Sequence, residues 1–284
     1  MAPRRLGQHF LGSAAWRDRI VRLVLGHTAS TLAETAGSNQ VPQARDLWVE
    51  IGAGHGEMTT LLAPHVGRLI AIELDTALLP GLRQKTAPLS NVEVVAGDIL
   101  ALNLGGLTQQ QRFRAYGNLP YYITSPIVHR LLDHADRLDA AFLVVQWEVA
   151  ARMTARPGSR EYGYFSALTQ FYSRPEILLR IPAGAFQPPP KVSSALIALY
   201  LPGQRNQLNT TDEAGFLKFL KVCFAQKRKT LRKNLRCLIS PAEAAALLQH
   251  CQIDANARAE QLALPDLARM FAAVCERKRS TRAS

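Results

Sequence analysis

A regular alternation of short apolar runs with helix-patterned stretches narrows the fold more than any other feature of this chain. Asp46–Ile51, Arg68–Glu73, Asn91–Ala96, Phe113–Tyr116 and Ala141–Val145 are nearly continuous apolar runs of strand length. Between them, Met58–Ala63 and Thr76–Gln84 carry apolar residues at helical spacing. Strands lacking in–out alternation are covered on both faces, and strands separated by helices pair in parallel. The pattern therefore predicts an α/β fold, a sheet with helices on both faces. Glu176–Ile181 and Ser194–Leu201 are two later strands, joined through Phe186-Gln-Pro-Pro-Pro190, where three successive prolines rule out helix. Beyond Pro202-Gly203 the strand signal fades and helical patterning takes over. This places a boundary within Pro202–Asn209 and divides the chain into residues 1–204 and a small all-helical domain, residues 205–284.

Composition limits the partners. Lys and Arg total 34 against 22 Asp and Glu, a formal net charge of +12, on a chain that is 48% hydrophobic. Such a chain is too apolar for disorder, and its positive excess points to a polyanion, with nucleic acid or an anionic membrane surface first. No apolar run approaches the roughly 20 residues of a spanning helix. The basic N-terminus lacks an apolar segment followed by a cleavage site, so no secretory signal is expected. Cys223, Cys237, Cys251 and Cys275 form no C-x-x-C pair or Cys/His cluster. They are read as buried thiols in a reducing cytoplasm, without zinc or disulfides.

The run Asp46–Ile51 leads into Gly52-Ala-Gly54-His-Gly56. Glycines after a first strand let backbone approach a ligand at the carboxyl end of a sheet, although Glu57 stands where a dinucleotide fingerprint needs glycine. A tight strand–helix turn is the plain alternative. Two acids sharpen the reading: Glu73 closes the next strand, placed to accept ribose hydroxyls, and Asp98 follows the third, placed to accept from an adenine amino group. Either acid alone is equally compatible with a helix N-cap. Together, the three strand ends describe an adenosine-shaped site.

Gly117-Asn118-Leu119-Pro120-Tyr121-Tyr122 follows the fourth strand. The exocyclic amine of a base is a poor nucleophile because its lone pair is delocalised into the ring. Asn118 Oδ1 and the Leu119 carbonyl are suited to accept its two protons and turn the lone pair outward. Pro120 fixes the turn, and Tyr121 offers a stacking face for an unstacked base.

These stretches carry a resemblance. The chain resembles the S-adenosylmethionine-dependent RNA adenine N6,N6-dimethyltransferases, and within them the small-subunit ribosomal RNA dimethyladenosine transferases linked to kasugamycin sensitivity. The matching segments run in family order from Gly7-Gln-His-Phe-Leu11 through Glu50–Gly54, Ile72–Asp75, Gly97-Asp98, Gly117–Tyr121, Glu148–Ala150, Pro157–Gly163 and Phe186–Val192 to Gln226–Arg232. The resemblance implies a Rossmann-like methyltransferase sheet, with S-adenosylmethionine as cofactor, S-adenosylhomocysteine as product and no metal. It puts His9 and Leu11 at lid positions over the cofactor, with Gly52 at its methionine part and Gly54 among the cofactor-binding residues. Glu73 falls at the ribose, Asp98 at the adenine and Asn118 at the reacting end. Phe186, by residue type alone an ordinary core aromatic, would face Tyr121 across the target adenine.

The implied reaction is transfer of methyl groups to N6 of two adjacent adenosines in a 3′-terminal hairpin loop of small-subunit ribosomal RNA, in a partly assembled subunit. A large-subunit resistance-type dimethylase and a ribosome-assembly factor of the same fold are the competing readings. Four positions depart from the family pattern: His9 for Asn, Ala53 for Pro, Trp147 at a place often basic, and Ser193 at one often Asp.

Between Ala214 and Ala242 stand Lys218, Lys221, Lys227, Arg228, Lys229, Arg232, Lys233 and Arg236, with no acid. Arg228, Arg232 and Arg236 recur every fourth residue, which predicts one helix face, while Phe216, Phe219, Leu220, Phe224, Leu231 and Leu235 supply an apolar face. A solvated face is the plain alternative. Like charges without compensation favour contact with RNA through Lys227, Arg228, Lys229, Arg232, Lys233 and Arg236. No membrane contact is expected, and a monomer is the default.

Overall fold

A computed structural model describes residues 9–36, 46–208 and 210–283. In chain order the first unit contains β1 (Phe10–Leu11), α1 (Ala14–Ala36), β2 (Leu47–Ile51), α2 (Glu57–Leu62), β3 (Arg68–Glu73), α3 (Leu79–Thr86), β4 (Val92–Ala96), α4 (Leu104–Leu107), β5 (Phe113–Asn118), α5 (Thr124–Leu132) and β6 (Leu138–Gln146). There follow α6 (Trp147–Met153), α7 (Tyr164–Tyr172), β7 (Arg174–Ile181), β8 (Phe186–Gln187) and β9 (Ser194–Tyr200). The remaining elements are helical: α8 (Arg205–Leu208), α9 (Glu213–Cys223), α10 (Leu231–Asn234), α11 (Pro241–His250) and α12 (Leu264–Ala283).

Seven strands form one sheet in the order β4-β3-β2-β5-β6-β9-β7. β2 pairs in parallel with both β3 and β5, and the parallel pairing continues to β4 on one side and β6 on the other. Every residue of β2 and of β9 is buried, which explains their unbroken apolar runs. On one face Trp48, Phe142, Val144 and Leu196 join Ile20 and Val24 of α1 in a single core, and the Trp48 and Phe142 rings stack at 6.0 Å. The sheet is mixed rather than wholly parallel, because β9 runs antiparallel to β6. The parallel strands are linked by helical crossovers, whereas β9 follows its sheet neighbour β7 through the proline turn without one.

The compact units do not divide the chain at one point. Glu176–Leu201 returns to the first unit, and Ala151–Pro175 joins the residues from Pro202 onward in the second. The linear division at residue 204 therefore misses α7. Aromatic packing explains its placement: Phe171 meets Phe216 of α9 at 5.4 Å, and Phe216 meets Phe271 of α12 at 5.6 Å. The Tyr172 hydroxyl donates to Glu213, and Gly203 N donates to the Tyr172 carbonyl at 2.9 Å. Local signals end these helices cleanly. Asp212 caps α9, and Ser240 with Glu243 forms a capping box before Pro241 at the start of α11. Of the four cysteines expected to be buried, Cys223 and Cys251 are, whereas Cys275 is half-buried and Cys237 exposed; all four are free thiols. Among the described residues no helix is long and apolar enough to cross a membrane.

Candidate active site

The strand order reverses at β2, so the crossovers diverge there and leave a crevice beyond the carboxyl ends of the parallel strands. Register brings the sequence-flagged residues to one level. Ile51 pairs with both Ile72 and Gly117, Glu73 with Ala96, and Asn118 with Val144. Gly52, Glu73, Asp98 and Asn118 thus leave four successive strands at the same edge.

The glycine loop curls back on itself. Gly52, Gly54 and Gly56 have φ of 73°, 58° and 79°. The Gly52 and Ala53 amides both donate to the Ile72 carbonyl, at 2.9 and 3.1 Å. At Gly54 a Cβ would lie 2.9 Å from Phe10 Cε1, so glycine is required twice over, by its φ and by the ring above it. Gly54 N donates to Glu73 Oε2 at 2.7 Å, while Asp75 N donates to Oε1 at 2.8 Å. Glu73 is only 2% exposed, and these two bonds fix its carboxylate while leaving lone pairs for a ligand hydroxyl. Asp98 Oδ1 accepts from Leu100 N at 2.9 Å, the helix-cap style of bond foreseen as its alternative role. Even so, Asp98 lines one cleft with Gly52, Glu73, Leu74, Ile99, Pro120 and Tyr122.

A second, adjoining hollow shares Gly52 and Pro120 and is lined by His9, Phe10, Asn118, Leu119 and Tyr121. Asn118 Nδ2 donates to the His9 carbonyl at 2.8 Å. A carbonyl only accepts, so the amide nitrogen faces His9 and Oδ1 is left as an acceptor on the other branch. The Tyr121 hydroxyl and Ser194 Oγ share a 2.7 Å hydrogen bond; burial raises the phenol pKa above its ordinary value, with the Ser194 bond acting in the opposite sense. The His9 ring stacks on Tyr121 at 5.4 Å and 29°, and its Nδ1 bonds the Pro188 carbonyl at 2.7 Å.

Two of the expected residues, Phe186 and Leu11, are buried in the core. Phe186 is 4% exposed within the sheet core and pairs with Leu11 between β1 and β8, and the ring that stacks on Tyr121 is His9. Leu11 is buried in that same core, with its carbonyl taken by Arg17 at 2.6 Å. The residue that lines the hollow beside His9 is Phe10, whose ring meets His55 at 4.9 Å. Nothing in the local sequence around Phe10 marks it as a lining residue. Ser194 carried no local signal. Gly7 and Gln8 of the N-terminal motif lie outside the described residues.

The basic segment keeps its apolar face but not its single helix. Phe216, Phe219, Leu220, Leu231 and Leu235 are buried and Phe224 is half-buried. Lys227, Arg228, Lys229, Arg232, Lys233 and Arg236 are all exposed and form no ion pair with any described residue. However, Arg228 sits in a turn, Arg232 in α10, and Arg236 in a following short 3₁₀ segment, so the three do not share one helix face. Thr230 is extended before α10, and Asn234 Nδ2 donates to the Cys223 and Gln226 carbonyls at 2.6 and 3.3 Å, closing the end of α9. Lys227 Nζ also donates to the Arg160 carbonyl.

A sheet reversing at a glycine loop, with acids at the next two strand ends and an Asn-Leu-Pro-Tyr turn at the fourth, defines a Rossmann-like methyltransferase. The ribosomal RNA adenine dimethylase family matches residues 2–275. The chain is 40% identical over 269 residues to the ribosomal RNA small subunit methyltransferase A of Acidobacterium capsulatum, covering 94% of this chain and 89% of that one. It is 37% identical to the protein of the same name from Koribacter versatilis, covering 94% and 92%. A crystal structure of a dimethyladenosine transferase from Plasmodium falciparum shares the fold, with a TM-score of 0.78 at 22% identity over 95% of this chain and 98% of that one. The chain belongs to the ribosomal RNA adenine dimethylase family.

Proposed function

We propose that this protein transfers methyl groups from S-adenosylmethionine to N6 of two adjacent adenosines in a 3′-terminal hairpin loop of small-subunit ribosomal RNA, in the cytoplasm, on a partly assembled subunit. The observation that carries the chemistry is the anchored Asn118 amide beside the Glu73–Asp98 cleft. The small-subunit assignment is supported by the names of the relatives.

The residues present fit the cofactor. Glu73, held by two backbone amides, suits the ribose hydroxyls, Asp98 the adenine amino group, and Gly52 with Gly54 the methionine part. When bound, S-adenosylmethionine supplies an electrophilic methyl group whose sulfur departs with the bonding pair. Asn118 Oδ1 and the Leu119 carbonyl accept the two N6 protons and so draw the amine lone pair out of conjugation. Tyr121, fixed by Ser194, supports the flipped base. The methylated nitrogen is acidic and yields its proton to water, so positioning and preorganised acceptors carry the rate. The second transfer requires the pocket to admit an amine already bearing one methyl.

The helical unit, with its exposed cations from Lys227 to Arg236, is assigned the sequence-independent hold on RNA phosphates.

The test uses small ribosomal subunits from cells lacking this methylation, purified protein and methyl-labelled S-adenosylmethionine, with large subunits in parallel and nucleosides identified by mass spectrometry. Dimethyladenosine in the small subunit alone is expected. Label in large-subunit RNA transfers the assignment to a resistance-type enzyme, and tight binding without transfer transfers it to an assembly factor.

A further inference from the structure

Trp147 occupies an unusual place beside the catalytic turn. The β5 end reaches β6 through Leu119 N, which donates to the Val144 carbonyl at 3.0 Å. Two residues further along β6, Gln146 pairs with Ser194, the residue that holds the Tyr121 hydroxyl. Trp147 comes next, its amide donating to the Ser193 carbonyl at 3.0 Å. Its indole therefore leaves the sheet at the edge that carries Asn118 and Tyr121.

The indole is half-buried and carries a cation. Arg180 of β7 lays its guanidinium over the ring, 4.7 Å from the centroid. Arg180 is exposed and forms no ion pair with any described residue, and the same holds for Lys191. Between Lys191 and Ser193, Val192 leaves 47% of its surface in solvent. A carboxylate would be the usual partner of such an arginine, and among the described residues none pairs with it. The indole instead is its cation–π partner, an interaction that consumes none of the guanidinium's forked donors and leaves them for an external anion.

We propose that Trp147 and Arg180 form a subsite for the nucleotide that flanks the target adenosine, stacking its base on the indole–guanidinium plate and pairing its phosphate with Arg180 and Lys191. The proposal rests on the RNA substrate assigned above. Presenting N6 to Asn118 requires the adenosine to leave its stack, which strips its neighbour of a stacking partner. A plate at the same sheet edge replaces that partner, and it accepts any base because every base has a π-face. The competing role for the pair is a staple between β6 and β7 with no RNA contact.

Trp147→Ala, Trp147→Phe, Arg180→Ala and Arg180→Lys separate the two. The readouts are KM for small subunits lacking the methylation, KM for S-adenosylmethionine, and filter-binding affinity for the same subunits. Trp147→Ala and Arg180→Ala are each expected to raise the subunit KM and Kd roughly tenfold with the cofactor KM unchanged. Trp147→Phe should recover most of the loss, and Arg180→Lys, which keeps charge but not the plate, less of it. Subunit affinities within about twofold of wild type for Arg180→Ala and Trp147→Ala overturn the subsite, as does an equal rise in both KM values. Wild-type protein that transfers no methyl group refutes the assigned reaction instead. The filter-binding ratio of wild type to Arg180→Ala still decides the subsite in that event.

Discussion

The side-chain amide of Asn118 donates to the backbone carbonyl of His9 at 2.8 Å, tying the catalytic turn to the strand that covers it. One amide thus serves two ends: its nitrogen anchors the N-terminal segment, and its oxygen is left as the acceptor proposed for the target amine. Asn118→Ala is expected to slow single-turnover methyl transfer by about 100- to 1000-fold, the usual cost of losing one preorganised group at a reacting centre. Subunit binding should stay within about threefold. Asn118→Asp retains acceptors but sets a carboxylate oxygen against the His9 carbonyl, so it should fail as badly as alanine. Equal loss of binding and transfer in Asn118→Ala would remove its assigned role.

Glu73 anchors the glycine loop, because Gly54 N and Asp75 N both end on its carboxylate, and on the proposed assignment the same carboxylate holds the ligand. Glu73→Gln turns an NH2 group toward one of those amides and leaves it unpaired, at a cost of about 1–3 kcal/mol. Calorimetry with S-adenosylhomocysteine should show at least roughly tenfold weaker binding for this variant. A melting temperature and an affinity that both match wild type would show that the carboxylate holds neither the loop nor the ligand.

Gly54 separates backbone strain from contact. Its φ of 58° lies in the left-handed region, and an added Cβ would meet Phe10 Cε1 at 2.9 Å. Gly54→Ala should lose about 1–2 kcal/mol from the backbone alone, and more if the Phe10 ring is displaced. In urea unfolding, adding Phe10→Leu should recover the contact share and leave the backbone share. Full recovery in the double variant would mean that φ is not the constraint.

Much of this architecture is legible in the sequence, for a definite reason. Strands buried on both faces have to be apolar throughout, so β2 and β3 stand out; β4, at the sheet edge, is half-exposed and is marked by its apolar run alone. Glycine or acid at the ends of these strands marks the ligand edge. Gly52, Glu73, Asp98 and Asn118 follow from that punctuation. What stays hidden is made by segments far apart in the chain. β1 and β8 are two residues each and have no periodicity to detect. The His9–Tyr121 stack, the Ser194 bond and the return of Ala151–Pro175 to the helical unit depend on such contacts. Arg228, Arg232 and Arg236 mislead differently: their spacing fits a helix that the extended Thr230 interrupts.

Glu50 predicts a pH dependence of stability. It is 2% exposed at the end of β2, and its Oε2 has no hydrogen-bond partner among the described residues. Burial, reinforced by the Glu73 and Glu57 carboxylates, raises its pKa from an ordinary 4.5 to about 8. Between those values the folded protein retains a proton that the unfolded chain has released. Stability should therefore fall as pH rises through this window, by up to about 1.4 kcal/mol per pH unit, and level off above it. Glu50→Gln, isosteric and uncharged, should flatten this slope and exceed wild type in stability at pH 8. Urea midpoints taken across the window decide the matter; parallel curves for the two proteins would rule out Glu50 as the titrating group.

The cations of the helical unit can be tested without reference to catalysis. Arg228, Arg232 and Arg236 are exposed, lack carboxylate partners among the described residues, and lie on a turn, a helix and a 3₁₀ segment in succession. Because no helical repeat unites them, each should act as a separate phosphate contact. Reversing one charge at a time should lower the slope of log affinity against log salt by about 0.7–0.9 per residue. The triple reversal should approach the sum, and all the variants should retain the cofactor affinity of wild type. Filter binding of small subunits across a salt series measures this directly. A slope that does not move would identify the segment as a solvated surface, and the hold on RNA would then have to come from the sheet unit alone.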